Sequence, residues 1–377
     1  MKYLLFLIGV LFLFSCSNEK HQEKPATTIK AINIAVFDGN GAGVVSVVET
    51  IEALKIDRGI NAKPISASQI QNGELNNFDA IIIPGGSGSK QLNNLGENNR
   101  AIIKAYIEQG GGIIGICAGA YMLSSTKGYP SLAIASSVHI DREHYNRGRG
   151  LVQFELTNAG YEIFPELKNN SLFVQYYDGP VLVQGDSTNP YNEIGKFVTD
   201  IHPDGFAPIG ITPGRTFFLN QNIGKGKVFL CAGHPESTPG MRWIVPRMAR
   251  WVTNNDLVDY DKFWIRPDIN DSAILFNKEL RKIEKDYWWK LLSKNPEEQL
   301  EALKGLHKLR SRPAVRWSIG LLRAKDAKVR LYAAEMLMNT EYTDALIDAK
   351  IAYKKETDED VKQILSKLIT QFEKTIH

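Results

Sequence analysis

Short apolar runs alternate with helical patterns over the first two thirds of the chain. The runs at residues 31–37, 80–83 and 112–116 are rich in Ile, Val and Ala and end in glycine-containing turns. Such runs are typical of strands that are buried on both faces of a parallel sheet. Residues 44–54 and 98–109 instead place apolar side chains at helical spacing. The alternation predicts an α/β fold with a doubly wound, flavodoxin-like, mostly parallel sheet.

In the C-terminal third, charged sequence carries apolar residues at helical spacing. Residues 313–316, 326–337 and 358–365 share an acidic or proline start, then Val followed by Arg or Lys, then apolar positions. Val329 and Val361 lie 32 residues apart, which is near the length of a helical-hairpin repeat. These segments resemble degenerate HEAT repeats, whose stacked helices form surfaces for protein partners. We expect a C-terminal all-α helical-repeat domain, with a plain helical bundle as the alternative.

The N-terminus has a basic start and an apolar run that ends at residue 14. The run is shorter than the roughly 20 residues of a membrane-spanning helix and has the flanks of a secretion signal. The segment Leu13-Phe14-Ser15-Cys16 follows and resembles a bacterial lipobox, in which the cysteine is lipidated. We therefore expect a protein of the bacterial cell envelope, lipid-anchored through Cys16 on the periplasmic side or at the outer membrane. An uncleaved membrane anchor is the alternative.

These patterns divide the chain into five predicted segments. They are a lipoprotein signal peptide at 1–15, a flexible tether at 16–30, the α/β domain at 31–255, a helical connector at 256–295 and the HEAT-like helical domain at 296–377. The 45 basic and 42 acidic residues leave a net charge of +3. This balance lacks the clustered basic surface of a nucleic-acid-binding protein, so no nucleic-acid partner is expected. Three cysteines are too few for a scaffold held together by disulfides.

Cys117 is the strongest candidate for chemistry. It stands between Gly115 and Gly119, directly after a predicted strand and before a helical segment. This arrangement is typical of a nucleophile elbow, a sharp turn that exposes a reactive side chain above the sheet. The N–H of Ala118 would then point to where an oxyanion forms, and Gly85 or Gly86 could donate the second N–H. A buried, inert cysteine is the alternative interpretation.

A second motif follows the apolar run at 228–232, where His234 and Glu236 stand two residues apart. A histidine can take the proton of the Cys117 thiol while a carboxylate holds the histidine tautomer. This pairing strengthens the interpretation of the cysteine as a nucleophile.

Other candidates have structural alternatives of equal or greater weight. Tyr177 and its neighbours Tyr176 and Asp178 could line the cleft or simply pack, and Asp38 could meet substrate or form a turn. Three further histidines lack metal-ligand spacing, so no metal is expected: His139, His144 and His202. The turn at residues 39–41 lacks the third glycine of a dinucleotide-binding fingerprint, so no cofactor is expected. A solvated loop is the favoured interpretation of three arginines that could otherwise bind an anion: Arg142, Arg147 and Arg149. Cys231 is expected to be buried and inert, with a disulfide to Cys117 as the alternative.

Taken together, these motifs resemble the class I glutamine amidotransferase-like superfamily, and within it the N-terminal domain of biotin–protein ligases. The resemblance is carried by Phe37-Asp38-Gly39-Asn40-Gly41, Pro84-Gly85-Gly86, residues 115–121, Tyr176-Tyr177-Asp178-Gly179-Pro180 and residues 224–236. It implies Cys117 as nucleophile, His234 as base, Glu236 as orienter, and the amides of Gly85, Gly86 and Ala118 as oxyanion hole. The chain shows no ligase module, so biotin transfer is not implied.

We therefore expect a cysteine amidohydrolase that cleaves an unidentified C–N bond in a small molecule or peptide through a thioester. The alternative is a non-catalytic lipoprotein that binds or scaffolds protein partners on its helical-repeat surface.

Overall fold

The computed structural model describes residues 31–144, 146–270 and 272–376. The predicted signal peptide, the tether and Cys16 lie outside these residues. Within the described ranges, no helix combines the length and the apolar character that crossing a bilayer requires.

A single mixed sheet runs through the first two thirds of the described chain. Its twelve described strands are β1 (Ile32–Phe37), β2 (Ile60–Ile65), β3 (Ala80–Ile83), β4 (Gly112–Ile116), β5 (Ser137–His139), β6 (Arg149–Leu156), β7 (Leu172–Tyr177), β8 (Leu182–Gln184), β9 (Asn192–Phe197), β10 (Thr216–Ile223), β11 (Gly226–Cys231) and β12 (Ile274–Leu275). The main row has the order β12-β6-β9-β10-β11-β4-β3-β1-β2. Beside it, β7 pairs with β6, while β8 pairs with β10 and β5.

The strands β11, β4, β3, β1 and β2 are parallel to one another. The remaining pairs, from β10 outward, are antiparallel. Two of the predicted strands, β3 and β4, have the bounds that their apolar runs indicated. The sheet therefore has the expected parallel centre, and an antiparallel half extends it on one side.

Both faces of the parallel centre are buried. In β1, Ile34 and Val36 belong to one apolar cluster, whereas Ala35 and Phe37 belong to another. Because successive side chains of a strand point to opposite faces, this split shows that the two clusters cover opposite sides of the sheet. A strand covered on both sides needs apolar residues at every position, which is why its sequence shows an unbroken apolar run.

Helices cover the sheet and continue to the C-terminus. They are α1 (Val44–Leu54), α2 (Ala67–Gln71), α3 (Gly88–Glu108), α4 (Ala118–Leu123), α5 (Asn158–Ile163), α6 (Ile244–Val252), α7 (Lys278–Lys290), α8 (Pro296–Lys308), α9 (Arg312–Leu321), α10 (Ala327–Asn339), α11 (Leu346–Lys355) and α12 (Glu359–Ile376). The predicted helix at 44–54 is confirmed as α1. The predicted helix at 98–109 begins ten residues earlier, and non-helical Gly96 divides it with φ 69°.

The five helices from α8 to α12 share a third apolar cluster. Helix α10 packs against α8, α9 and α12, and α11 packs against α12. Each of the three similar segments in the sequence falls in one of these helices: 313–316 in α9, 326–337 mostly in α10 and 358–365 mostly in α12. The helical character of this region agrees with the prediction, and its assignment to HEAT repeats stays a prediction.

The described part of the predicted connector at 256–295 contains the α-helix α7, a short 3₁₀ turn, Pro267–Ile269, and the two-residue strand β12. Strand β12 pairs with β6, with Ile274 opposite Leu151. This segment therefore adds an edge strand to the sheet before the chain enters the helices.

The register of the parallel strands determines which side chains meet. Cys231, the last residue of β11, lies opposite Ile116, the last residue of β4. The residues that follow these two strands, from Cys117 and from Ala232 onward, therefore leave the sheet at the same edge.

Candidate active site

Cys117 lies at a sharp turn between β4 and α4. Its backbone has φ 52° and ψ −104°, a conformation that L residues rarely adopt. The Cys117 N–H donates to the carbonyl of Cys231 at 2.9 Å, which holds the turn against the neighbouring strand. The structure therefore gives this cysteine the backbone of a nucleophile elbow.

Steric constraints require glycine at positions 115 and 119, on either side of Cys117. A Cβ on Gly119 would lie 2.0 Å from the carbonyl oxygen of Ile83. A Cβ on Gly115 would lie 2.8 Å from the backbone of Gly119. Both contacts are with backbone atoms, which cannot move aside as a flexible side chain can. The turn around Cys117 therefore depends on glycine at both positions.

His234 and Glu236 reach the same edge from β11. The N–H of His234 donates to the carbonyl of Gln175 at 2.7 Å, and a short 3₁₀ turn, Pro235–Ser237, follows. The turn brings Glu236 Oε1 to 2.7 Å from Nδ1 of His234. Both side chains are buried, so no bulk water competes for this hydrogen bond.

The His234 side chain also hydrogen-bonds the thiol of Cys117, and the Cys117 Sγ lies 3.4 Å from the carbonyl oxygen of Tyr177. Burial favours the neutral imidazole, but the adjacent Cys117 and Glu236 outweigh it and raise the pKa of His234 to about 9. Burial would also raise the pKa of Glu236, yet the imidazolium of His234 and the guanidinium of Arg312 hold it below its usual range. The three predicted residues therefore form one hydrogen-bonded series, from thiol to imidazole to carboxylate.

A cavity of about 810 Å³ opens in front of Cys117. Gly86 and Ala118 line it beside the thiol. Among the described residues, the N–H groups of these two find no hydrogen-bond acceptor. Gly85 lies behind them against the imidazole, where a Cβ would come within 2.6 Å of His234 Cε1. Of the predicted oxyanion donors, Gly86 and Ala118 are thus the two whose backbones face the cavity.

Tyr177 and Asp178 also line the cavity. The Tyr177 ring stands edge-on to the imidazole of His234, with 5.9 Å between the ring centres. Asp178 pairs with Arg149 at 3.1 Å, and Arg149 lies over the Tyr177 ring. The structure thus brings Tyr177 to the site, as one of the two sequence interpretations expected.

Asp38 is not brought to the cavity. Its side chain is exposed, and its backbone N–H donates to Ile65 in the neighbouring β2. The loop after it turns back, so that Gly43 donates to the carbonyl of Gly85 at 2.9 Å. Residues 43–46 therefore line the cavity in place of Asp38.

The expectation of a solvated loop is wrong for Arg147, which is fully buried. Its guanidinium pairs with the buried Asp141 and donates to the carbonyl of Gly179 at 3.0 Å. Asp141 supplies the counter-charge that makes this burial tolerable. Cys231 is buried and, like Cys117, is a free thiol, in line with the favoured interpretation of an unpaired cysteine. In the described parts of the chain, no group of three or more His, Cys, Asp or Glu side chains is arranged to hold a metal ion.

Sequence reasoning missed Arg312, which also lines the cavity. It is the first residue of α9 and lies 3.1 Å from Glu236 Oε1. A signal for it existed, because a cation in the first turn of a helix opposes the helix dipole and therefore requires a compensating anion. Ser46 and Glu49 of α1, which contact Arg312, were missed with it.

Comparison with known proteins finds relatives of this chain. The family model described as biotin-protein ligase, N terminal, matches residues 32–253. The pyridoxal 5'-phosphate synthase subunit pdx2 of Dictyostelium discoideum is 34% identical over 198 residues, which cover 48% of this chain and 74% of that protein.

Solved structures align with part of this chain at low identity. PurLQS from Thermotoga maritima aligns at 15% identity and a TM-score of 0.41, over 59% of this chain and 98% of that one. A ThuA-like protein from Parabacteroides merdae aligns at 11% identity and a TM-score of 0.41, over 63% and 99% of the two chains. The family match spans every described strand of the sheet except β12, and it includes all three residues of the hydrogen-bonded series. The chain therefore belongs to the biotin-protein ligase N-terminal family, within the glutamine amidotransferase-like proteins.

Proposed function

We propose that this protein is a lipid-anchored cysteine hydrolase of the cell envelope that cleaves a C–N bond through a thioester on Cys117. The observation that carries the proposal is the hydrogen-bonded series of Cys117, His234 and Glu236 at the edge of an open cavity. A buried cysteine that served only packing would need neither a left-handed backbone nor an imidazole partner.

In the first half of the reaction, His234 takes the proton of the Cys117 thiol as the sulfur attacks the substrate carbonyl carbon. A C–S bond forms, and the carbonyl oxygen becomes an oxyanion that the N–H groups of Gly86 and Ala118 stabilise. When the oxyanion collapses, the C–N bond breaks and the leaving amine takes the proton from His234. The products of this half are an amine and a thioester on Cys117.

In the second half, His234 takes a proton from water, and the resulting hydroxide attacks the thioester carbonyl. The C–S bond breaks, the sulfur regains its proton from His234, and a carboxylic acid leaves. The net reaction consumes one water and converts an amide-type substrate into an acid and an amine. Glu236 keeps the imidazole in the orientation that both proton transfers need.

The membrane part of the proposal rests on the N-terminal sequence. A lipidated Cys16 would hold the enzyme at the membrane surface, because each buried CH₂ of an acyl chain contributes about 0.8 kcal/mol. Radiolabelled palmitate should enter the wild-type protein in cells and should be absent from Cys16→Ala. Labelling of that variant at another position would reject Cys16 as the anchor.

The catalytic part is tested by thiol reactivity and by turnover. The purified protein is treated with iodoacetamide, and modification of Cys117 is followed by peptide mass spectrometry. We expect His234→Ala to slow the reaction about 10²-fold, since it removes the group that accepts the thiol proton. His202→Ala is the matched control, because His202 pairs with Asp200 away from the cavity. A screen of amides then looks for amine release that Cys117→Ala abolishes.

A non-catalytic function is the second candidate, and exposed apolar side chains in the C-terminal helical region favour it. The most exposed are Trp289 in α7, Leu292 in the turn after α7 and Ile347 in α11, with 65%, 61% and 71% of their surface accessible. Side chains of this kind are common at surfaces that bind protein partners. If Cys117 resists alkylation in the wild-type protein, the hydrolase proposal fails and these helices become the place to look for function.

A further inference from the structure

Arg312 contacts the hydrogen-bonded series from a distant part of the chain. It opens α9, in the predicted HEAT-like domain, and its side chain enters the cavity edge beside His234. Its Nη2 donates to Glu236 Oε1 at 3.1 Å, and its Nη1 lies 3.1 Å from His234 Nδ1. A residue of the C-terminal helices therefore touches two members of the series.

Two further contacts hold the guanidinium in place. Nε donates to Glu49 Oε2 at 2.9 Å, and Nη2 donates to Ser46 Oγ at 2.9 Å. The backbone N–H of Arg312 donates to the hydroxyl of Tyr177 at 3.3 Å. Only 10% of the side chain is exposed. An arginine so buried at a helix N-terminus is unfavourable unless anions surround it, and Glu49 and Glu236 are those anions.

The geometry creates competition for one carboxylate oxygen. Glu236 Oε1 accepts from His234 Nδ1 and also from Arg312. The other oxygen, Oε2, is buried and finds no hydrogen-bond partner among the described residues. Because Arg312 partly neutralises the Glu236 carboxylate, Glu236 stabilises the protonated imidazole of His234 less.

The position of Arg312 depends on how the helices dock. Just before it, the carbonyl of Arg310 accepts from Gln175 Nε2 at 2.6 Å. At the far side of the interface, Thr343 donates to Glu52 Oε2 at 2.7 Å, and Gly240 donates to Glu341 Oε1 at 3.0 Å. These bonds link the helices to three segments that flank the site, namely β7, α1 and the residues that follow Glu236. A shift of the helices would therefore withdraw the guanidinium from Glu236.

We propose that Arg312 is a positioning residue through which the C-terminal helices govern how firmly His234 holds its proton. The proposal rests on the proposed function, since it assigns the helices a role in the same site. When the helices are docked, Arg312 stays on Glu236 and His234 binds its proton less tightly. When they are undocked, His234 binds its proton more tightly. The helical region is in this way part of the active site.

The charged groups around His234 give this effect its sign. Cys117 and Glu236 favour the imidazolium, whereas Arg312 disfavours it as a like charge. Tyr177 faces the ring as a neutral hydroxyl, because burial raises its pKa. Beyond these, Glu49 pairs with Arg312, Arg149 lies over Tyr177, and Cys231 is kept neutral by burial. Removing the charge of Arg312 should therefore raise the titration midpoint of His234.

The test follows the Cε1–H resonance of His234 by NMR between pH 6 and 11 in full-length, histidine-labelled protein. A neighbouring charge shifts a titration by about one unit or more. We expect Arg312→Gln to raise the midpoint by about one unit, and Arg312→Lys, which keeps the charge, to restore most of the wild-type value. Arg323→Gln is the matched control, because it makes the same change at a side chain that is 63% exposed, pairs with Asp348 and does not line the cavity.

A midpoint in folded Arg312→Gln equal to that of wild type would overturn the proposal, and so would an equal rise in Arg323→Gln. If Arg312→Gln does not fold, Glu49→Gln decides. That variant removes the outer partner of Arg312, so the guanidinium turns more fully to Glu236 and the midpoint falls. An unchanged midpoint there rejects the proposal. Alkylation of Cys117 is measured in parallel, so an inert thiol rejects the hydrolase proposal while the titration still decides on Arg312.

Discussion

The carboxylate of Glu236 lies 2.7 Å from the imidazole of His234, and both side chains are withdrawn from solvent. In such a buried pair the carboxylate fixes which ring nitrogen carries the proton, and therefore which one is free to accept the proton of Cys117. This bond is the part of the site on which the proposed chemistry depends most.

Glu236→Gln should therefore impair the site without removing any group that touches substrate. The amide carries no charge, so it stabilises the imidazolium less and can hold the wrong tautomer. We expect both Cys117 alkylation and any hydrolysis to slow by about 10²-fold or more. Glu297→Gln, at an exposed position in the first turn of α8, is the control and should leave the rate unchanged. Equal rates in the two variants would reject the role of Glu236.

The elbow makes a prediction about stability. Gly119→Ala would place a Cβ 2.0 Å from the Ile83 carbonyl, so β3 or α4 must shift. We expect a loss of roughly 2 kcal/mol or more in the free energy of unfolding, measured by urea denaturation. Gly320→Ala, in α9, is the matched control, because a Cβ there meets nothing within 4 Å. The control should be neutral or stabilising by up to about 1 kcal/mol, since alanine favours a helix.

Local patterns were sufficient to predict the parallel centre of the sheet and the elbow. The strands β3 and β4 are buried on both faces, which gives an unbroken apolar run. Glycine is required on either side of Cys117 because backbone atoms within a few residues, or on the adjacent strand, leave no room for a Cβ. Such constraints are visible in a short window of sequence. The pairing of His234 with Glu236 is likewise local, because the two residues lie two positions apart.

Long-range relationships were not predictable in this way. Arg312 lies 78 positions from His234, and only the docking of the helices brings the two together. The burial of Arg147 depends on the arrangement of the loop around Asp141, and β12 is a strand of two residues that no periodicity can reveal. Asp38 lies outside the cavity because the loop that follows it is hydrogen-bonded to Gly85. In each case the outcome depends on tertiary contacts, which a short window of sequence does not contain.

A salt bridge within the C-terminal helices predicts a pH dependence of stability. The guanidinium of Arg330 donates to Glu356 through two bonds, of 2.7 and 2.8 Å, and this hydrogen bonding lowers the pKa of Glu356 to about 2. A depressed carboxylate pKa stabilises the fold above the unfolded value of 4.5, and that contribution is lost as pH falls toward about 2.

Arg330→Gln should therefore lower the free energy of unfolding by about 1 kcal/mol at pH 7. The difference from wild type should narrow as the pH is lowered from about 4.5 toward 2, measured by urea denaturation at each pH. Arg323→Gln is the control, because Arg323 is 63% exposed and its contact with Asp348 is long. A difference for Arg330→Gln that stays constant with pH would show that the effect comes from packing of the arginine stem.

The two cysteines of the described chain predict selective modification. Burial raises the pKa of the Cys231 thiol well above its usual range, and its Sγ contacts the carbonyl of Gly233 at 3.3 Å. Cys117 lines the open cavity and has His234 as a proton acceptor. We expect iodoacetamide to modify Cys117 in the native protein at pH 8 at least 10-fold faster than Cys231, as only the thiolate reacts. In urea both thiols should react at similar rates, which serves as the internal control. Faster modification of Cys231 in the native protein would contradict the assignment of Cys117 as the reactive thiol.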